Sequence, residues 1–186
     1  MPQGLVVDPT AQFSVPATVT NTTIGVNGED TVSLAGRKIG LRQDPYWLSW
    51  EWVVDEWAQL CRNDGADVLL HRHYPSVGKA AEESLSQLDS FVASSDVVVS
   101  GLATCGGCTM WTVHDAVRAL DNGKPAVIVA TEHFVELAQS LSSRAGHPGA
   151  RIVVMPYPLE GRSEAEVRQI ARDKFAELAR TLGVRA

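Results

Sequence analysis

The sequence has no cluster of Lys or Arg in any one segment and only three cysteines in 186 residues. Each shortage removes a class of function. Sixteen basic against 22 acidic residues give a formal net charge of −6, which argues against nonspecific nucleic-acid binding. The N-terminal Met-Pro-Gln-Gly-Leu-Val-Val-Asp lacks both the basic region and the apolar stretch of a signal peptide or membrane helix. A cytoplasmic protein is expected, with neither nucleic acid nor membrane as partner. Three thiols cannot all pair within one chain, and in a reducing compartment such thiols are more often catalytic, metal-binding or buried than structural disulfides.

Several motifs are also missing. No G-x-G-x-x-G follows the first expected strand, so dinucleotide binding in the usual manner is unsupported. The spacing Gly101-x4-Gly106-Gly107-Cys108 imitates a P-loop, but Gly107 stands where the Lys belongs and Cys108 where the Ser/Thr belongs. A low-molecular-weight phosphatase would need an Arg six residues after its nucleophile, and Trp111 and His114 stand there instead. Zinc could take Cys105, Cys108 and His114, but there is no second C-x-x-C to complete a structural site. Neither metal nor resident cofactor is expected.

With 45% hydrophobic residues, the chain can bury one full core. Residues 1–36 carry Pro9, Pro16, five Thr between Thr10 and Thr23, and no helical pattern. They read as an extended arm or β-embellishment, with short strands near 4–7 and 15–24. From residue 37 a regular rhythm begins. Strand-like runs start near Arg37, Asp67, Asp96, Pro125 and Arg151, at intervals of 30, 29, 29 and 26 residues. Each interval has room for one helix and two short loops, as in repeated βαβ units. The runs are apolar throughout rather than alternating, as in parallel strands covered on both faces. The expectation for 37–186 is a single α/β domain, a doubly wound parallel five-stranded sheet in the flavodoxin-like order 2-1-3-4-5.

Helix signals lie between the runs. Asp44 and Pro45 suggest an N-cap and first-turn proline, followed by a stripe of Trp47, Trp50, Val54, Trp57 and Cys61. Four of the five tryptophans fall between positions 47 and 57, which suggests core or a subunit interface, and hence a possible homodimer. Trp52 points away from that stripe. Ala81, Leu85, Leu88 and Val92 form the next stripe; Asn122-Gly123 stops the third helix; residues 134–143 supply the fourth; and Ser163 with Glu166 makes a capping box for the last.

The chemistry is expected at residues 100–116. Cys105 and Cys108 fall in the turn between the third strand and the third helix, where unpaired N–H groups and the helix dipole favour a thiolate. Gly106 and Gly107 allow a tight turn and close approach of a ligand or of the two sulfurs. Thr109 and Trp111 accompany them as candidate ligand contacts. In a doubly wound sheet, ligands bind beyond the carboxyl ends of the strands where the winding reverses, so Asp44 after the first strand would face the same cleft. That edge also collects His71, His73 and Tyr74, then Thr131, Glu132, His133 and Phe134, then Pro156, Tyr157 and Pro158. Of these, Thr131 and Pro156 are candidate contacts, and Glu132 is a candidate acid or base or the cap of the helix near Phe134. His114 and Asp115 either handle protons and orient a substrate, or serve as a solvent-facing residue and a dipole partner.

The segments Val-Val-Asp-Pro-Thr (6–10), Leu-Ala-Gly-Arg-Lys-Ile-Gly-Leu (34–41), Gly-x-x-x-Cys-Gly-Gly-Cys-Thr (101–109) with Val-His-Asp-Ala-Val (113–117), Ala-Thr-Glu-His-Phe (130–134) and Met-Pro-Tyr-Pro-Leu (155–159) resemble the UGSC-like family. That family is named for a selenocysteine-Gly-Ser-Cys motif and is distantly similar to the selenoprotein subunits of glycine and proline reductases. The resemblance implies that Cys105 occupies the selenocysteine position as nucleophile and Cys108 is its resolving thiol. Gly107 replaces the Ser, and residues 42–47 depart from the family's Asp-Asn-Gly type, which implies a different substrate.

The leading expectation is a thiol-dependent, reductase-type enzyme acting on a small molecule, with Glu132, His114 or Asp115 managing protons and an external thiol as reductant. Two others stand beside it: a non-redox lyase or hydrolase using Cys105 alone, and a non-catalytic redox or metal-binding module.

Overall fold

The computed structural model describes residues 33–44, 46–72 and 79–182. Most of the expected arm, including its two short strands, lies outside them, as do Pro45, His73 and Tyr74. The expected rhythm is present: β1 (Lys38–Gln43), α1 (Leu48–Asn63), β2 (Asp67–Arg72), α2 (Lys79–Ser94), β3 (Val97–Ala103), α3 (Gly106–Asp121), β4 (Ala126–Thr131), α4 (Val135–Arg144), β5 (Arg151–Met155) and α5 (Glu164–Leu182). A short 3-10 turn, Glu132–Phe134, separates β4 from α4. The five strands are parallel in the order β2-β1-β3-β4-β5. This is the doubly wound, flavodoxin-like arrangement, and its reversal of winding lies between β1 and β3.

The expectation of strands covered on both faces holds in full only for the centre. β3 and β4 are buried throughout and β1 nearly so, whereas the edge strands β2 and β5 are partly exposed, Leu70 of β2 included. The body also begins before residue 37. Leu34 is fully buried in the core, and the Gly36 N–H donates to the Gly65 carbonyl at 2.9 Å.

Two apolar layers sandwich the sheet. One, under α1 and α5, contains Ile39, Leu41, Trp50, Val54, Trp57, Cys61, Val99 and Leu178; the other, under α2, α3 and α4, contains Leu88, Phe91, Val98, Val113, Ala116, Ile128 and Ala138. Trp50 and Trp57 are fully buried edge-to-face at 5.7 Å, and Trp52 packs part-buried on the same layer. Trp50 and Trp57 are thus spent on the chain's own core, while Trp47 and Trp52 stay part-buried and Leu48 is exposed. Cys61 is core, as expected, and burial pushes its thiol up to about 12, so it stays protonated at neutral pH.

Helix ends mostly follow the sequence signals. The Ser163 N–H and hydroxyl both meet the Glu166 carboxylate, at 2.9 and 2.7 Å, and hold it below the usual carboxylate range. Gly123, at φ 71°, closes α3 after Asn122. The start of α1 differs. Its N-cap is Trp47, not Asp44, because Asp44 directs its carboxylate to the Tyr46 N–H and to Arg42. Glu160, in the loop before α5, instead accepts from the Ser49 N–H at 3.2 Å and from the Ser49 hydroxyl.

Two glycines let helices approach the sheet from opposite sides. A Cβ on Gly40 would overlap Ser95 and Phe91 of the α2 side, and one on Gly101 would overlap the Trp50 indole of α1. Gly101→Ala should therefore lower the unfolding free energy by about 1–3 kcal/mol, the usual cost of overpacking a rigid core. Urea denaturation measures it; an unchanged midpoint would mean the Trp50 ring can yield.

Candidate functional site

Cys105 and Cys108 stand at the carboxyl edge of β3, beside the crevice where the winding reverses. Cys105 is the N-cap of α3, in extended conformation with φ −147° and ψ 169°. Its sulfur accepts from the Cys108 N–H at 3.0 Å, and its carbonyl accepts from the Thr109 N–H at 2.9 Å and the Thr109 hydroxyl at 2.6 Å. One helical turn brings the two Cα atoms to 5.1 Å, and the sulfurs are joined as a disulfide. Both cysteines are half-buried. Thr109 is fully buried with its hydroxyl engaged, so it shapes the turn rather than facing a ligand.

Gly106 and Gly107 are the first two residues of α3. Their backbone is helical and a Cβ on either would meet nothing within 4 Å. They form a helical turn that brings the two sulfurs together, with open space beside the first N–H groups of the helix.

On β1, Arg42 is fully buried. Its Nε donates to Asp115 of α3 at 2.9 Å, and its Nη1 to Asp44 at 3.1 Å and to the Gly101 carbonyl of β3 at 2.8 Å. Asp115, itself fully buried, also meets His114 Nδ1 at 3.1 Å through its other oxygen. His114 keeps 42% of its side chain exposed and lies edge-on to Trp111 at 5.7 Å. Sequence patterning identifies Asp44, Asp115 and His114 as candidates but passes over Arg42, which joins them. No local signal marks it, because β1 also begins with the exposed Lys38 and ends with Gln43; what sets Arg42 apart is its burial, which obliges it to find partners.

A second residue passed over is Trp47. It reads as a member of the core stripe, yet its indole N–H donates to Cys108 Sγ at 3.1 Å. At the other strand ends, Thr131 is fully buried and its hydroxyl faces the Ala103 carbonyl and Thr104, which ties β4 to β3 and withdraws it from ligand contact. Glu132 is exposed in the 3-10 turn, and Pro156 is half-buried after β5. Tyr157 lies against His133 at 4.2 Å. Neither Glu132 nor Pro156 is joined by a described hydrogen bond to the cysteine pair.

Among the described residues no group of three or more His, Cys, Asp and Glu is placed to hold a metal ion, and no helix is long and apolar enough to cross a membrane. Two cavities of about 350 and 420 Å³ lie at the opposite edge of the sheet, lined by strand starts such as Lys38 and Asp67, and Ala126 and Arg151. The cysteine pair borders neither.

A model of the UGSC family matches residues 5–184, almost the whole sequence. The chain belongs to the UGSC family. No curated protein matches it. Among solved structures, this UGSC-family chain is similar to a mutant flavo di-iron protein from Thermotoga maritima, at 12% identity and a TM-score of 0.49. That similarity covers 77% of the chain but only 37% of the flavo di-iron protein. It is also similar to one of the chains of dipicolinate synthase from Bacillus halodurans, at 15% identity over 82% of this chain and 94% of that one, with a TM-score of 0.46.

The buried ionic cluster makes a stability prediction for the UGSC-family chain. Arg42→Ala leaves Asp44 and Asp115 buried without their cation and should cost about 3–5 kcal/mol. Calorimetry would register this as a fall in Tm of roughly 10 °C. Gly107→Ala should leave Tm unchanged or slightly raised, because the added methyl enters open space and Ala favours a helix over Gly.

Proposed function

We propose that this protein is a thiol-dependent enzyme of reductase type acting on a small molecule, with Cys105 as nucleophile and Cys108 as resolving thiol. The observation that carries the reading is the Cys105–Cys108 disulfide on the first turn of α3, at the β1/β3 reversal. A sulfur at a helix N-cap gains from the dipole and from N–H donors once it is ionised. The family's selenocysteine motif, and its distant similarity to glycine and proline reductase selenoproteins, support the same division of labour.

In the reduced enzyme the Cys105 thiolate attacks a substrate carbon that bears a leaving group and is flanked by a carbonyl. The carbon–leaving-group bond breaks, and its electron pair departs with the leaving group, which takes up a proton. The Cys108 thiolate then attacks Cys105 Sγ. The S–S bond forms, the C–S pair returns to carbon, and the carbon, stabilised by its carbonyl, is protonated. The substrate gains two electrons and the cysteine pair loses two. An external thiol reductant, as a cytoplasmic location supplies, resets the pair.

His114, oriented by Asp115, is the proton donor to the leaving group in this scheme. A rise of 1.5 Å per residue puts it about 13 Å along α3 from the nucleophile Cys105, so its proton reaches the leaving group through intervening water rather than by direct contact. Glu132 is the alternative proton carrier from the β4 side. Asp44, Trp111 and Pro156 contribute to the walls, and the open space before Gly106 and Gly107 admits the substrate.

Iodoacetamide labelling of the reduced protein across pH, read by mass spectrometry, tests this directly. Cys105 should be labelled at a pH well below that at which a free thiol, with its pKa of about 8.5, reacts. Cys61, with its thiol at about 12, should stay unlabelled at pH 8 until the protein is unfolded. Air oxidation should protect Cys105 and Cys108 together. Ordinary, slow titration of both without disulfide formation would overturn the reading.

A further inference from the structure

The two sulfurs of the pair have different hydrogen-bond donors. Cys105 Sγ receives a backbone N–H, that of Cys108, at 3.0 Å. Cys108 Sγ receives the indole N–H of Trp47, at 3.1 Å, from the other side of the crevice. The indole is held firmly. Trp47 is the N-cap of α1, its carbonyl accepts from the Trp50 and Glu51 N–H groups at 3.1 and 3.2 Å, and its ring packs part-buried on the α1–α5 core layer. The donor is therefore preorganised whatever the oxidation state of the sulfur it faces.

A hydrogen bond to a disulfide sulfur is weak, but the same bond to a thiolate is charge-assisted and much stronger. A fixed donor thus favours the state in which its own sulfur carries the charge. When an external thiolate attacks a disulfide, the sulfur that is not attacked leaves as the thiolate, and a better-stabilised leaving group leaves faster. The Cys108 N–H and the helix dipole act on Cys105 and, alone, would favour Cys105 as leaving group, with attack on Cys108. That outcome would strand the reductant on the resolving thiol.

We propose that Trp47 is a positioning residue that makes Cys108 the leaving thiolate, so that the external reductant attacks Cys105. The inference rests on the redox reading of the pair. The incoming thiolate forms a bond to Cys105 Sγ; the S–S bond breaks, and its electron pair goes to Cys108 Sγ, beneath the indole N–H. A second reductant thiolate then attacks the reductant sulfur of the mixed disulfide and frees Cys105 as thiolate. The reductant is oxidised to a disulfide, and the protein pair is reduced by two electrons. Before resolution in the forward reaction, the same donor keeps Cys108 in its thiolate form.

The test uses the oxidised full chain and glutathione as a monothiol probe. A brief pulse, quenched with N-ethylmaleimide, is mapped by mass spectrometry to give the ratio of glutathionylated Cys105 to glutathionylated Cys108. Trp47→Phe retains a ring and removes the donor; it should lower this ratio at least about threefold, and shift the equilibrium with dithiothreitol about tenfold toward the protein disulfide. Trp52→Phe removes an indole on the same helix that contacts neither sulfur and should change neither value. A variant-independent arm follows the indole N–H resonances on reduction. Trp47 should move, while Trp50 and Trp57, whose N–H groups donate to the Arg42 and Ala171 carbonyls, should not. If the wild-type pair forms no disulfide in solution, the proposed function fails and this inference with it. If the disulfide forms but Trp47→Phe leaves both values within twofold of wild type, or the Trp47 resonance stays fixed, this inference alone is overturned.

Discussion

The buried guanidinium of Arg42 is the constraint on which the carboxyl edge of the sheet depends. It joins four parts of the chain: its own strand β1, the Gly101 carbonyl on β3, Asp115 on α3 and Asp44 in the turn that leads to α1. A fully buried arginine is tolerated only where its charge is met, and here two carboxylates and a carbonyl engage Nε and Nη1, while Nη2 is buried without a hydrogen-bond partner. Those partners come from β3, from the helix that follows it and from the turn that follows β1, all at the reversal of winding. The same interaction that neutralises the charge therefore fixes the relative position of β1, β3 and α3, and so the place where the α3 N-terminus opens.

The cysteine pair is carried by this frame from both sides. From α3, the Ser100 hydroxyl donates to the Thr112 carbonyl at 2.9 Å and Arg118 clasps Asp89 of α2 at 2.6 and 2.8 Å, so the helix is tied to β3 and to its neighbour. From α1, Trp50 donates to the Arg42 carbonyl at 3.0 Å and seats its ring over Gly101. One turn earlier, Trp47 reaches Cys108. The glycine on β3 thus has a long-range effect. By letting Trp50 lie close against the sheet, it sets the depth of α1 and with it the position of the indole that touches the sulfur.

How far this was legible in the sequence depends on how local each feature is. Strand spacing and unbroken apolar runs reveal the parallel sheet, because central strands buried on both faces have no polar alternation to preserve. The cysteine turn is equally local, a strand followed by Cys-Gly-Gly-Cys and a helical stripe. Arg42 is not, since its principal partner, Asp115, is 73 positions away and nothing in the run Arg-Lys-Ile-Gly-Leu-Arg separates the buried arginine from the exposed basic residues before it. Trp47 is hidden for a related reason. Asp44 followed by Pro45 looks like a helix start, which would place Trp47 inside the helix as core, but Arg42 draws the Asp44 carboxylate away and the helix begins after Trp47. Thr109 and Thr131 mislead in the opposite direction, as hydroxyls at the right edge that are spent on backbone carbonyls nearby.

Charge in the cluster bears on the chemistry as well as on the fold. Arg42 contributes one positive charge and Asp44 and Asp115 two negative ones, and His114 sits on the exposed side of Asp115. In the proposed reaction an imidazole paired in this way would supply a proton toward the departing group without bringing a cation close to the sulfurs, which lie about two turns away along the helix. The thiolates of the reduced pair would take their stabilisation in that reaction from other sources, the α3 N-terminus for Cys105 and the Trp47 indole for Cys108. Neutral donors serve this purpose better than a nearby cation. A neutral donor lowers a thiol's pKa by less than a cation does, and a thiolate whose pKa falls less keeps more of its intrinsic nucleophilicity.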